Sequence, residues 1–451
     1  MEDMIANQNG RKLGYFEAAT ANPGCVVVMV AHLSGDRLQI VALQKAVAAT
    51  TRRHPILRTK LVSSGTEFSL KPTPPPYCVP AVHVVVDSEW ERVVQEECNS
   101  GFCFMDDSPL WKIVLVQGEP RDVLLVKFHH CIADASSGYI LINDLLTFHC
   151  QSIENNDFDE ESVISLPDFT CPDELCLPLV DEGCIQTALD NLRERRESWV
   201  PVLPFEPNPP PGNQHNVIFR DGSPLQLQRL QSRCRERGVS VGSVLVAATY
   251  FAVAKLTYDS DEDFSFDFDM DVNLRDRFPG APGSDHVGAF IGMMAFNLTV
   301  TPTTTFWGLV ETARRAIGEG LEEKQHLSYF EVGKRLDALG SIPGSSKEDT
   351  HGHAQDMNFS NVGKYLFPTT VGSVTVEKIY CVGGGWCPTF GSYIFLIPSV
   401  KELNFSLVYE AADFNDKIAN DFLDLVVSLT ENAPNVSESF VLADYIAEPL
   451  A

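Results

Sequence analysis

The chain has 451 residues, of which 44% are hydrophobic and 21% charged, enough for two or three domains with buried cores. Its 34 Lys and Arg face 61 Asp and Glu, a formal net charge of -27, which excludes a general nucleic-acid binder because such a protein needs a basic face. The early apolar run VVVMVAHL is too short to span a bilayer, and the amino-terminal MEDMIANQNGRKLG lacks the basic-then-apolar layout of a secretory signal, so a cytoplasmic protein is expected.

In chain order, CVVVMVAHLSG reads as a strand running into a turn. LQIVALQKAVAATTRR follows with Ile40, Leu43, Val47 and Thr50 at helical spacing, and Pro55 closes the helix. After an extended stretch broken by KPTPPPY, residues 111–116 and 122–130 read as strands and 138–149 as a helix. Residues 151–215 are acidic first (ENNDFDEES) and then Pro-rich (PVLPFEPNPPPGN), the composition of a long surface connection. The expected division is an amino-terminal half over 1–200, a Pro-rich crossover over 201–215 and a carboxy-terminal half over 216–451. In that second half LQLQRLQSRCRERG and SVGSVLVAATYFAVAKL are helical, FSFDFDMDVNL alternates as a strand, and 306–321 and 416–429 are helices. Helix mixed with strand in both halves predicts an α/β or α+β architecture. The 12 cysteines are scattered, and their close pairs lack the CxxC spacing of zinc sites, so buried reduced thiols are expected.

The stretch FHHCIADASSGY, residues 128–139, carries the most chemistry. In a strand ending DVLLVKFHH, alternation puts Leu124, Val126, Phe128 and His130 on one face and Val123, Leu125, Lys127 and His129 on the other. The two imidazoles then point opposite ways, which argues against one shared metal. His130, on the apolar face, is pushed toward the neutral form that a general base needs. The chain next turns into a helix for which Asp134, Ser136 and Ser137 are all suitable N-caps. A helix amino terminus beside His130 would offer N–H groups and a positive dipole to a developing oxyanion. For the motif alone, two ordinary strand-end histidines remain the alternative.

This stretch resembles the HHxxxDG signature of the acyltransferase superfamily built from two chloramphenicol-acetyltransferase-like halves. That superfamily includes peptide-synthetase condensation domains, plant BAHD acyltransferases, alcohol acetyltransferases and mycobacterial polyketide-associated acyltransferases. Four further stretches resemble family segments in the same order: LQKAVAATTRRHPILRT (43–59), SPLWKIVLV (108–116), DVNLRDR (271–277) and FSNVGKY (359–365). The resemblance runs over most of the chain, from about residue 15 to about residue 430.

The resemblance implies two halves, each a mixed sheet with helices, forming a pseudo-dimer around a central channel. It implies that His130 is the general base and His129 a structural neighbour. Asp134 would pair with Arg275, with Arg277 the competing arginine, to hold the loop and clasp the halves together. Ser360, Asn361 and Gly363 would lie by the channel, with Trp386 of CVGGGWCPTF a candidate lining residue. No bound metal, nucleotide or redox cofactor is implied. Acyl-CoA, acetyl-CoA among the candidates, is the expected co-substrate, and a carrier protein in trans is the other donor. The expected acceptor is the hydroxyl of a small alcohol or secondary metabolite. An N-acyltransferase or standalone condensation enzyme forming an amide is the alternative, and a catalytically silent binding or scaffold protein is the third reading. A monomer suffices for such a fold. Two departures stand out. Ala135 occupies the position of the motif glycine, which bears on any need there for positive φ, and the DFGWG landmark of the plant enzymes is missing. No carrier segment with a phosphopantetheine serine follows, so a standalone enzyme is expected.

Overall fold

The computed structural model describes residues 10–64, 67–76, 78–86, 89–104, 108–118, 121–155, 157–198, 202–203, 214–257, 263–338, 355–385, 393–411 and 414–447. Two compact units divide the chain, and neither is one contiguous stretch. The first comprises Met1–Leu179, Asn273–Gly292 and Val362–Cys387, and the second Val180–Val272, Met293–Asn361 and Pro388–Ala451. Residues 273–292 and 362–387, expected in the carboxy-terminal half, therefore belong with the first unit. Strand pairing is the reason: Val374–Gly384 lies antiparallel beside Val26–Gly35 and completes a sheet begun early in the chain. Most of the expected crossover, residues 204–213, lies outside the described residues.

The first unit is built on a six-stranded sheet in the order Thr370–Val371, Val374–Gly384, Val26–Gly35, Asp122–His129, Trp111–Gln117 and Val82–Val86. Its neighbours are antiparallel except the last pair, which is parallel. Helix Ala135–Glu154 packs on the two central strands from one side, and helix Trp90–Cys98 packs on them from the other. Cover on both faces explains why Asp122–His129 is buried along its whole length, and why its run of Val, Leu and Phe barely alternates in polarity. Gly138 lets the helix approach closely, since a Cβ there would come within 2.2 Å of Met29 Cγ. Lys127 is the buried cation on this strand. Its Nζ donates to Glu97 Oε2 at 3.0 Å and to the carbonyl and hydroxyl of Ser100 at 2.6 Å, the pairing that a buried cation requires. Helix Ile40–Arg53 buries Leu43, Val47 and Thr50 as their spacing predicts, while Ile40 faces outward.

In the second unit the sheet order is Ile291–Val300, Phe264–Asn273, Met357–Lys364, Tyr393–Ser399, Asn404–Glu410 and His215–Asp221. Phe266, Phe268, Phe359, Phe395, Phe405 and Phe422 form its aromatic core, with Phe268 and Phe359 centroids 5.6 Å apart and Phe359 and Phe395 5.8 Å apart. Each such ring contributes about 1.5–3 kcal/mol by leaving water. Helix Val241–Thr257 is buried over most of its length, which accounts for its apolar sequence. Among the described residues no single helix is long and apolar enough to cross a membrane.

Residues 151–215 are more than the expected surface connection. They contain helix Glu182–Ser198, whose Ile185 and Leu189 pack on Val332 and Leu336 of helix Gln325–Ala338. Neither helix was legible beneath its charged residues. Arg195 on the first of them donates to Asp267 at 2.7 Å and Asp269 at 3.0 Å, satisfying the carboxylates that alternate with phenylalanines along Phe264–Asn273. Seven described cysteines, Cys25, Cys98, Cys131, Cys171, Cys176, Cys234 and Cys381, are buried, whereas Cys78 and Cys103 are exposed against expectation.

Tyr250 joins helix to sheet: its hydroxyl donates to Phe266 O and accepts from Leu298 N–H, both at 2.7 Å. Tyr250→Phe keeps the ring and strands two backbone groups. It should cost about 1–3 kcal/mol, seen as a lower urea midpoint with an unchanged slope.

Candidate active site

The site grows out of one strand end. Asp122–His129 stops at His129, and His130 begins a turn instead of extending the strand as expected. Two backbone bonds fix the turn, His129 N–H to Leu110 O at 2.8 Å and His130 N–H to Cys25 O at 3.0 Å. Four residues on, helix Ala135–Glu154 starts. Its N-cap is Asp134, whose Oδ1 accepts from Ser137 N–H at 2.7 Å, so of the three candidates the aspartate does the capping.

The adjacent histidines carry opposite tautomers. His129 Nε2 lies 2.8 Å from the carbonyl of Asn22 and must donate, while its Nδ1 accepts from Cys131 N–H at 3.2 Å. The ring is fully buried, with Phe104 edge-on to it. Burial pushes its pKa down to about 4, offset in part by the Asn22 carbonyl. Both ring nitrogens are thus engaged by the fold, and His129 is a structural group. In His130, Nδ1 lies 3.0 Å from the carbonyl of Ala133 and donates, which leaves the lone pair on Nε2. The imidazole is half-buried. Burial lowers its pKa below the ordinary histidine value, against the opposing pull of the Ala133 carbonyl and the Asp134 charge.

Arg275 meets Asp134. Its Nη1 donates to Asp134 Oδ2 at 2.7 Å, with both side chains almost fully buried. Every N–H of the guanidinium has an acceptor: Nε on His286 O at 3.0 Å, Nη1 also on Asn273 Oδ1 at 3.3 Å, and Nη2 on Ser137 Oγ at 2.8 Å and Gly288 O at 3.1 Å. Its flat face lies over the Phe290 ring at 5.0 Å, and Phe290 N–H donates to Asp134 Oδ2 at 2.9 Å. Arg277, the competing arginine, is exposed and donates to Asn273 O. Both members of the pair belong to the first unit, so the pair ties together two distant segments of that unit, a correction to the clasp between halves.

Two other expectations change. Ala135 is the first residue of a regular helix and is not among the residues with positive φ, so the motif glycine's conformational freedom is not needed here. The N–H groups of Ser137 and Gly138 are taken by Asp134 Oδ1 and Asp134 O, which removes both from the donors offered to an oxyanion. Gly363, at φ 82, falls in the first unit, where its carbonyl accepts from the Tyr139 hydroxyl at 2.9 Å. Ser360, buried, and Asn361, exposed, belong to the second unit. Trp386 lies outside the described residues.

Sequence reasoning reached Ser137 only as a candidate cap and did not single out Gly288 or Asn273: Ser137 lies 138 residues from Arg275, and no local pattern marks the Gly288 carbonyl or the Asn273 side chain as acceptors of that arginine. It also left the RHP stretch as a likeness without a role. Arg53 Nε and His54 Nε2 both reach Asp144 Oδ2 on helix Ala135–Glu154, at 2.8 Å and 2.9 Å, and so anchor the helix that Asp134 caps.

Residues 15–169 match the family model "Condensation domain", and residues 223–382 match "Phthiocerol/phthiodiolone dimycocerosyl transferase C-terminus". Both models belong to the superfamily of CoA-dependent acyltransferases and condensation domains, which the chain matches over those two stretches. It is 26% identical over 296 residues to the nonribosomal peptide synthetase TES of Alternaria alternata, a match that covers 62% of this chain and 5% of that synthetase. In fold it is similar to polyketide synthase associated protein 5 from Mycobacterium tuberculosis, with a TM-score of 0.69 and 17% identity over 94% of this chain and 98% of the other. It is likewise similar to TRI3 trichothecene 15-O-acetyltransferase from Fusarium sporotrichioides, with a TM-score of 0.71 and 12% identity over 93% and 94% of the two chains.

Arg275→Ala leaves Asp134 buried without its cation and should destabilise the protein by about 3–5 kcal/mol. Arg275→Lys restores the charge but not the planar fork of donors and should recover only part of the loss, both read from urea unfolding. His129 adds an acid limit. Its folded pKa near 4 lies below the ordinary 6.5, so the stability it contributes is whole above about pH 6.5 and is lost as pH falls toward 4. Unfolding free energies measured between pH 7 and pH 4 should fall, and a buried apolar substitute at His129 that folds should flatten that fall.

Proposed function

We propose that this chain transfers an acyl group from the thioester of acyl-CoA to the hydroxyl of a small alcohol, with His130 as general base. The carrying observation is the His130 tautomer: Nδ1–H is spent on Ala133 O, so the basic lone pair is on Nε2. Nε2 takes the proton as the acceptor oxygen forms its bond to the thioester carbon. The tetrahedral oxyanion then collapses, the carbon–sulfur bond breaks, and the departing thiolate recovers the proton from Nε2–H. A positioned base contributes about 10²–10⁴-fold, and a depressed pKa keeps it neutral below the usual histidine range. Asp134 and Arg275 do not touch the reacting atoms. They hold the turn that presents the imidazole. No metal or redox group is part of this scheme. Acyl-CoA enters as a substrate.

A second reading has its own support. The condensation model over residues 15–169 and the likeness to a peptide synthetase favour an amine acceptor and an acyl group carried on a carrier protein in trans. The base and the proton path are the same, and only acceptor and donor differ. A catalytically silent scaffold had Ala135 as its support, and Ala135 begins an undistorted helix.

The test is thiol release. Purified protein is incubated with a panel of acyl-CoA esters and carrier-bound thioesters, with pooled alcohols and amines, and products are followed by mass spectrometry. Wild type should release thiol and form a new ester, with activity holding below pH 6.5. His130→Ala should lose at least about a hundredfold. A new amide would select the second reading, and no release from any thioester would refute both.

A further inference from the structure

The imidazole of His130 does not rest on its hydrogen bond alone. The Phe16 ring meets it edge-on, with centroids 5.1 Å apart and planes at 79°. Phe16 is 1% exposed and sits in helix Tyr15–Ala19, a segment far too short to persist through its own hydrogen bonds. Two buried carboxylates hold it. Glu17, 2% exposed, accepts from Arg11 Nη1 and Nη2, both at 2.6 Å, and from Gly14 N–H at 2.8 Å. Asp173, 5% exposed, accepts from Tyr15 N–H at 2.8 Å. Buried charge is costly unless it is paired and hydrogen-bonded. Here three charged groups hold one turn whose inward side chain is the ring on His130.

We propose that Phe16 is a positioning residue for His130, its ring edge setting the plane of the imidazole and keeping water from that side of it. The inference rests on the reading of His130 as the base. The bond from Nδ1 to Ala133 O and the roughly perpendicular Phe16 edge both oppose rotation of the imidazole about Cβ–Cγ. Nε2 then has one direction for its lone pair. Phe16 touches no reacting atom and acts only through the imidazole. The charges around the ring do not supply the same constraint. Asp134 faces the helix start and Arg275, His129 is neutral and bonded elsewhere, and Glu17 is matched by Arg11.

The experiment reads the imidazole directly. Protein carrying isotope-labelled histidine is titrated by NMR, with the His130 signals assigned by their loss in His130→Ala, for wild type, Phe16→Leu, Phe16→Ala and Glu17→Gln. The His130 pKa should rise toward the ordinary histidine value from wild type through Leu to Ala, as water gains access, and the Nδ1–H tautomer should lose its dominance. In the thiol-release assay kcat should fall about tenfold in Phe16→Ala, a part of the 10²–10⁴-fold span of a general base, with KM unchanged. Glu17→Gln leaves the ring in place, loosens its helix and should move the same signals in the same direction. A folded Phe16→Ala protein whose His130 titration and tautomer coincide with wild type would overturn the proposal. Should that variant fail to fold, unchanged His130 signals in both Phe16→Leu and Glu17→Gln would overturn it equally. The NMR readout needs no turnover. If His130→Ala releases thiol as wild type does, the base reading falls, and the titration still decides whether Phe16 sets the ring.

Discussion

A carboxylate and a guanidinium, both withdrawn from water, set the geometry of the candidate site. Desolvating each ion costs several kcal/mol, and the pair is tolerable only because its remaining donors and acceptors are nearly all matched. Asp134 caps a helix with one oxygen and receives Arg275 and the Phe290 amide on the other. Arg275 spreads its remaining N–H groups over Ser137, Gly288, His286 and Asn273. The pair therefore fixes where the helix begins, and with it the preceding turn. The Ala133 carbonyl belongs to that turn, and it decides which nitrogen of His130 carries the proton. Structure and proposed chemistry are linked through one peptide oxygen.

Neighbouring histidines become different reagents by the same means. Identical side chains stand next to each other at the strand end, and each finds a different carbonyl. Asn22 O meets Nε2 of His129, and Ala133 O meets Nδ1 of His130. The first ring also receives the Cys131 amide and is closed in by aromatic rings, while the second retains some contact with solvent. Division of labour within the HH dipeptide follows from backbone acceptors more than from any difference in nearby charge.

Much of this was legible in the sequence. The strand at Asp122–His129, the helix after it, the apolar helix Val241–Thr257 and the alternating strand Phe264–Asn273 follow from periodicity that packing reinforces. Strand alternation led to the expectation that the two histidines differ in surroundings, although His130 lies in the turn and not in the strand. The Asp134–Arg275 pair was reached through resemblance, since no local signal joins residues so far apart. What escaped was written in contacts between distant segments. Helix Glu182–Ser198 looked like solvated connection until Asp267 and Asp269 supplied partners for Arg195. Phe16 was not singled out in the sequence, and its place against His130 depends on Arg11, Glu17 and Asp173 acting together. The doubt attached to Ala135 dissolved once its backbone was seen to be helical.

The interleaving of the units bears on the order of events during synthesis. When residues 1–179 have been made, the sheet around Val26–Gly35 still lacks its neighbour Val374–Gly384, and Asp134 still lacks Arg275. The nascent amino-terminal segment thus exposes an uncompensated acid until Arg275 is made about a hundred residues later, and an unpaired strand edge until Val374–Gly384 follows about two hundred residues later. The HH turn takes its final form only after the first stretch of the second unit, Val180–Val272, has emerged. Assembly of the candidate site is in this sense a checkpoint on synthesis: a polypeptide cut short before residue 273 has the histidines but lacks Arg275 and the Phe290 amide, the two donors that hold Asp134 Oδ2.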